Sequence, residues 1–390
     1  MQASRRRMLN GAVGAALALV VVAPPVSAEP TAMVCAALSG TVINDWIRQA
    51  NAGTAVTQEI AMDAEGCTVS VGPDGLEPLT GKLSLTAAAG GLVLSGGDSV
   101  FDVRYRGVLA LTGITVTGST NSGIVNAYGG SIEVTDGKIT GNTSTFGGGI
   151  ENSGGAVRLV RTEVSGNTST GNGGGISSSG VAATLTLVDS VVKDNTSLYG
   201  GGIGSSNGKV VLQNSTLTGN RADAGSAVVN SAGSMTITGS QVRDNVSPYS
   251  GGAITNTGKL DVVNSTIADN QGGGVVVVAG GPVTVKDSRV LGNTTDGSGA
   301  AVLNGSGAVV TVERTEVSGN RAAGAGGGLV NGAGGLFRVI KSTVRGNTAG
   351  APGGGIANLA GGTMTVTGGL ISGNAPDNCA GAISGCRAGS

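Results

Sequence analysis

The phrase Ser265-Thr266-Ile267-Ala268-Asp269-Asn270 is one copy of a pattern, Ser/Thr-x-apolar-x-x-Asn, that returns with small changes along the last two thirds of the chain. Its closing asparagines are Asn142, Asn167, Asn195, Asn220, Asn245, Asn270, Asn293, Asn320, Asn347 and Asn374. They are separated by 25, 28, 25, 25, 25, 23, 27, 27 and 27 residues, a mean period of about 26, which is the length of one solenoid coil. A unit that short cannot bury a core alone, so stacked neighbours must share one. The 390 residues are therefore expected in one repeat domain rather than several globular ones. A β-propeller would need blades of about 40 to 45 residues.

Counted back from each ladder asparagine, the third residue is aliphatic in every copy, from Ile139 to Ile371. So is the eighth, from Val134 to Val366, and the tenth is apolar from Ile132 to Met364. Positions eight and ten share one face of a strand by its period of two, and that face must point inward. The fifth residue is Ser, Thr or Gly throughout and marks a bend. A second phrase follows each asparagine, as in Gly147-Gly148-Gly149-Ile150-Glu151-Asn152 and Gly353-Gly354-Gly355-Ile356-Ala357-Asn358. Its asparagines form a second column, Asn126, Asn152, Asn230, Asn256, Asn304, Asn331 and Asn358, with serine at Ser178 and Ser205 and a break at Val277. Gly and Asn tolerate the left-handed backbone of sharp corners. Each coil thus reads as three short strands stacked in parallel on the next coil at about 4.8 Å. The expected fold is all-β, a parallel β-helix of about 11 to 12 coils with a short capping helix at its N-terminal end.

Four segments follow. Residues 1–28 read as a secretory signal: Arg5-Arg6-Arg7, an apolar run from Gly11 to Val22, and Val26-Ser27-Ala28 as a small-residue cleavage site. Ser4-Arg5-Arg6-Arg7-Met8-Leu9-Asn10 also resembles the twin-arginine export motif, which leaves two export routes open. The apolar run is shorter than the roughly 20 residues that span a bilayer, so the mature chain is expected without a membrane span. Residues 29–100 form the N-terminal cap and first coils, 101–376 the regular coils, and 377–390 a C-terminal cap or tail. In the first of these, Val42, Ile43, Trp46, Ile47 and Ala50 make one apolar helical face over Thr41–Ala52, suited to covering the open end of the first coil. Export makes disulfides plausible. Three pairings are open on paper, and proximity favours Cys35 with Cys67 and Cys379 with Cys386.

The cap sequence Ile43-Asn44-Asp45-Trp46-Ile47-Arg48-Gln49-Ala50-Asn51, with Leu79-Thr80-Gly81-Lys82-Leu83-Ser84-Leu85, resembles the Leu-Arg-Glu-Ala-Ile-type domain that opens many secreted parallel β-helices. The paired signatures over residues 109–374 resemble the repeat of polymorphic outer-membrane proteins and related secreted right-handed β-helix proteins. That resemblance implies a right-handed helix and export, with surface adhesion as one use of such a repeat.

Composition narrows the chemistry. Histidine is absent, which removes imidazole bases and ligands, and no metal site is expected. A net charge of −1 with 12% charged residues gives no basic surface for nucleic acid. Candidate acids are Asp244 and Asp269, one coil apart before successive ladder asparagines, with Arg243 beside the first. A polysaccharide lyase would use such acids to hold Ca²⁺ and a basic side chain to take a proton; only in that case is a cofactor expected. Glycine fills the same place in most other coils, which favours plain solvated turns. A second cluster, Arg158, Arg161 and Glu163, recurs as Glu313, Arg314 and Glu316 with Arg338 and Lys341, and reads as a charged, solubilising face. Asp102, Arg104, Tyr105 and Arg106 form the one concentration of charge with aromatic character and are the expected binding site. The resulting expectation is a secreted, monomeric, non-catalytic protein that binds extracellular or cell-wall polymer or serves adhesion. A polysaccharide lyase or glycoside hydrolase with an unfamiliar site is the alternative.

Overall fold

The computed structural model describes residues 33–62, 66–88, 91–249, 251–305, 307–359 and 361–386. The expected export signal, Met1 to Ala28, lies outside them. The described residues form an all-β, right-handed parallel solenoid of about 13 turns with one short α-helix. The sequence columns anticipate 11 to 12. The additional pairing comes from the ends, where Met33–Val34 aligns with the strand Val56–Ala61 and Ile383–Ser384 aligns with Thr363–Ser372.

Three faces repeat. The first carries strands such as Ser234–Thr238 and Lys259–Val263 in register, Met235 opposite Leu260 and Ile237 opposite Val262. The second carries Gln241–Arg243 and Thr266–Ala268, with Val242 opposite Ile267. The third is a sheet of 12 strands from Phe101–Arg104 to Cys379–Ala380. A fourth, narrower edge follows the asparagine corner, where Thr294–Thr295, Arg321–Ala322 and Thr348–Ala349 pair. The aliphatic columns fill the lumen and are buried until the last coil, where Val366 and Ile371 are only partly covered.

The corners are held by side-chain ladders. Along the first, each asparagine Nδ2 donates to Oδ1 of the next, from Asn142 to Asn374, at 2.8–3.0 Å. The same Oδ1 accepts the backbone N–H of the preceding asparagine, as from Asn245 to Asn270 at 3.0 Å. Asn374 hands its bond to Asn378, so the tail ends the ladder. The bend residues form a hydroxyl ladder: the N–H groups of Ser190, Ser215, Ser240 and Ser265 donate to the hydroxyl one coil on, at 3.0–3.2 Å. The second asparagine column is broken into runs, and Oδ1 of Asn126, Asn230 and Asn304 has no partner. Each begins a run, after Val103, Ser205 and Val277, residues with no amide to donate.

Two corner columns take positive φ in every coil, the residues six before and one before the ladder asparagine. The triple glycine works by clearance. Gly147 has φ +63, and a Cβ on Gly148 would sit 2.5 Å from the carbonyl oxygen of Gly174 in the next coil.

The helix Gly40–Asn51 starts one residue before the expected span, with Ser39 Oγ accepting the N–H of Val42. Its buried face is Ile43, Trp46, Ile47 and Ala50, against the strands Val56–Ala61 and Lys82–Ala87. Cys35 pairs with Cys67 and Cys379 with Cys386. No helix among the described residues is long and apolar enough to cross a membrane.

Candidate functional site

The third face opens into a groove of about 470 Å³ at its N-terminal end. Two strands and their turns supply the floor. Phe101–Arg104 buries Phe101 and Val103 and turns Asp102 and Arg104 outward; Ile124–Ala127 turns out Val125 and Ala127. Register aligns Asp102 with Val125 and Val125 with Glu151, so the two carboxylates stand two rungs apart on one outward column. Asp74, Leu76, Pro78, Asp98 and Asn121 complete the walls.

The opening has a local cause. The corner over residues 118–123 is shorter than those over 141–149 and 166–175 in the next two coils. At the coil of Leu329–Asn331 the glycine turn closes over the outward column: Val330 is fully buried, and a Cβ on Gly326 would lie 2.1 Å from its Cγ2. The early coils lack that cover.

Tyr105 and Tyr128 stack on adjacent rungs, ring centroids 5.3 Å apart and planes 10° from parallel. They are 63% and 70% exposed. Both sit at positive φ, which projects them beyond the strand ends. Arg104 is paired with Asp102 through Nη2 and Oδ2, and this hydrogen-bonded pairing raises the guanidinium pKa. Asp102 Oδ1 is buried without a partner. Burial pushes the Glu151 carboxyl up; the Ser153 hydroxyl, 3.3 Å away, opposes this, and the Asp102 charge adds to it.

The structure brings Asp102, Arg104 and Tyr105 together, whereas Arg106, at φ +74, does not line the groove. Tyr128 and Glu151 were missed by sequence reasoning, although a signal existed. Tyr105 and Tyr128 hold the same place relative to Val103 and Asn126, and Glu151 is the outward letter of an aliphatic-x-Asn phrase that is uncharged in the other coils.

Asp244 and Asp269 lie elsewhere, at the asparagine corner with φ +57 and +56. Asp244 is bonded to Arg243 at 2.5 Å. Among the described residues no group of three or more Asp, Glu, Cys or His is arranged to hold a metal. The second charged cluster resolves into two copies of one lock. Glu163 is gripped by Lys138 and Lys193 at 3.2 and 2.9 Å, and Glu316 by Arg289 and Arg345 at 3.1 and 2.7 Å. In both, the phrase Arg-Thr-Glu-Val-Ser-Gly-Asn adds a bidentate pair one coil back, Arg161 to Asp136 and Arg314 to Asp287. Such pairing lets arginine occupy a left-handed corner, and it uses the charge of the cluster within the solenoid.

The family described as the right handed beta helix region matches residues 223–371. Among solved structures, the A-module of Azotobacter vinelandii mannuronan C-5 epimerase AlgE4 is 15% identical, with a TM-score of 0.47 over 88% of this chain and 92% of that one. The AlgE6 A-module from the same organism is 14% identical, with a TM-score of 0.42 over 89% and 95%. No curated protein matches the sequence. Repeat and register give the chain the fold of a right-handed parallel β-helix, and the family match falls on its later coils.

Proposed function

We propose that this is an exported glycan-binding β-helix that takes an extended polysaccharide chain in the N-terminal groove of its third face. The observation that carries the reading is the exposed Tyr105–Tyr128 stack at the edge of a polar groove. The apolar face of a pyranose ring packs on an aromatic ring while its hydroxyls seek carboxylates and amides at the margin, and a tyrosine brings both kinds of contact. Adjacent rungs are about 4.8 Å apart, comparable with the length of one sugar ring, so the stack and the floor offer neighbouring subsites along a chain. Binding of this kind would also serve adhesion to a cell wall or matrix. Export belongs to the same reading: the Met1 to Ala28 leader and two disulfides suit an oxidising compartment.

The test is a glycan array followed by titration of the strongest ligand. Tyr105→Ala and Tyr128→Ala should each weaken binding about tenfold, given ~1 kcal/mol or more per aromatic contact. An array without a single binder, or a double variant that binds like the parent, would refute the proposal.

One observation favours a catalytic second reading at the same place. Asp102 and Glu151 stand two rungs apart on one outward column, a backbone spacing of about 9.6 Å from which side chains leaning together reach the roughly 6.5–9.5 Å between the carboxyl groups of inverting glycosidases. Glu151, raised by burial, would protonate the leaving oxygen, and Asp102 would take a proton from the attacking water. In this reading catalysis belongs to the groove rather than to Asp244, Asp269 and Arg243, and no Ca²⁺ takes part. New reducing ends that disappear in Glu151→Gln would support hydrolysis; new unsaturated ends would instead support a lyase.

A further inference from the structure

The groove's charge discriminates among glycans, and this inference rests on the glycan-binding reading above. Four carboxylates line it, Asp74, Asp98, Asp102 and Glu151, against one cation, Arg104. That cation is already held by Asp102. Arg106, which would have balanced the site, is not among the residues that line it. Asp98 Oδ2 accepts only the amide of Asn121, at 3.3 Å, among charged or amide side chains, and Oδ1 of Asp102 is an acceptor with no donor. An anionic sugar would bring its charge among carboxylates in a partly walled space, where field lines are focused rather than screened. A ligand ammonium would meet the carboxylates of Asp74 and Asp98 on the groove walls, and it could also lie against a tyrosine face by cation–π attraction.

We propose that the groove selects a cationic amino-sugar polymer, a chain of 2-amino-2-deoxyhexose units with free ammonium groups, over neutral and uronic-acid polymers. The sugar rings occupy the tyrosine stack and the Val125–Ala127 floor, and the ammonium groups face Asp98, Asp102 and Asp74. Rejection of uronates follows from the same carboxylates, as unlike partners are excluded by repulsion as much as preferred ones are attracted.

The experiment titrates the full chain calorimetrically with glucosamine hexamer, N-acetylglucosamine hexamer, galacturonate hexamer and lysine hexamer, at low and high salt. The glucosamine hexamer should bind at least tenfold more tightly than its acetylated form, the uronate should not bind, and the preference should shrink with salt. Asp98→Asn with Asp102→Asn should bring the affinity for the glucosamine hexamer down to that for its acetylated form in the same variant, and a far-UV circular dichroism spectrum and unfolding midpoint like the parent's report that the variant is folded. Equal affinity for the amine and its acetylated form, or tighter binding of the uronate, overturns charge selection but leaves glycan binding standing. A lysine hexamer that matches the glucosamine hexamer overturns the amino-sugar assignment, because any polycation would then suffice. Failure of every sugar overturns the glycan reading itself.

Discussion

Replacing Asn270 by alanine tests the ladder at its centre. The side chain makes four hydrogen bonds: Oδ1 accepts Nδ2 and the backbone N–H of Asn245, both at 3.0 Å, and Nδ2 donates to Val242 O at 3.0 Å and to Asn293 Oδ1 at 2.8 Å. Not all are lost at full cost. Asn293 Oδ1 still accepts the N–H of residue 270, and Asn245 Nδ2 still reaches Leu217 O and Arg243 O. The Asn245 N–H is left buried with no acceptor, which costs about 1–3 kcal/mol. With a further ~1 kcal/mol for the void and the weakened carbonyl bond, the expected destabilisation is about 2–4 kcal/mol. Asn230→Ala is the internal control. Its Oδ1 is already unpartnered, so the substitution removes only the donations to Asn256 Oδ1 and Lys259 O and exchanges one buried unpartnered oxygen, its own, for another, that of Asn256, for a net cost of about 1–2 kcal/mol. Urea midpoints rank the variants, and hydrogen exchange at the Asn245 amide locates the damage, which matters because solenoids unfold in segments. A midpoint for Asn270→Ala equal to that of Asn230→Ala, or unchanged protection at Asn245, would refute the reasoning.

Three further perturbations follow from the same geometry. Gly148→Ala drives a Cβ to 2.5 Å from Gly174 O and 2.6 Å from Thr168 O; thermal unfolding should show a loss of about 1–3 kcal/mol, against about 1 kcal/mol for Gly154→Ala, where φ is +79 but the space is open. Burial opposes ionisation of Glu163, yet Lys193, Ser165 and Lys138 lower its pKa from 4.5 to about 2. Its stabilisation is therefore complete above pH 4.5 and lost as pH falls through about 2, worth about 1–2 kcal/mol after solvent screening; the stability of Glu163→Gln should vary less over that window, and equal acid sensitivity would contradict the lock. Asp269→Gly removes a side chain from a left-handed corner at φ +56 and should change stability by less than about 1 kcal/mol without altering glycan affinity; a loss of affinity would return the site to that corner.

The repeat was legible because it is one-dimensional. An aliphatic residue three before each asparagine, two more at eight and ten, and the asparagine itself are enough to specify inward strands, corners and a shared period, since every coil makes the same contacts with its neighbours. The hydroxyl ladder was half visible: Ser190 to Ser265 were recognisable as bend residues, but that their hydroxyls accept N–H groups from the preceding coil depends on coil-to-coil alignment. The site was less legible. Asp102, Arg104 and Tyr105 stood out as neighbours in sequence, and Arg106 stood out with them, although it follows Tyr105 into a left-handed turn and does not line the groove.

What the linear pattern could settle was whatever recurs each period, the solenoid, its register and the asparagine ladders, together with the cap helix, which carries its own apolar face. Tertiary structure alone decided what depends on departures from the period. The short corner at residues 118–123 leaves the third face uncovered, and stacking carries Tyr128 beside Tyr105 and Glu151 two rungs from Asp102. The physical reason is that a stack of near-identical coils converts distance along the chain into adjacency across it, so a site is assembled from letters about 23 to 26 residues apart, of which Tyr128 and Glu151 gain their meaning only beside the cluster at Asp102.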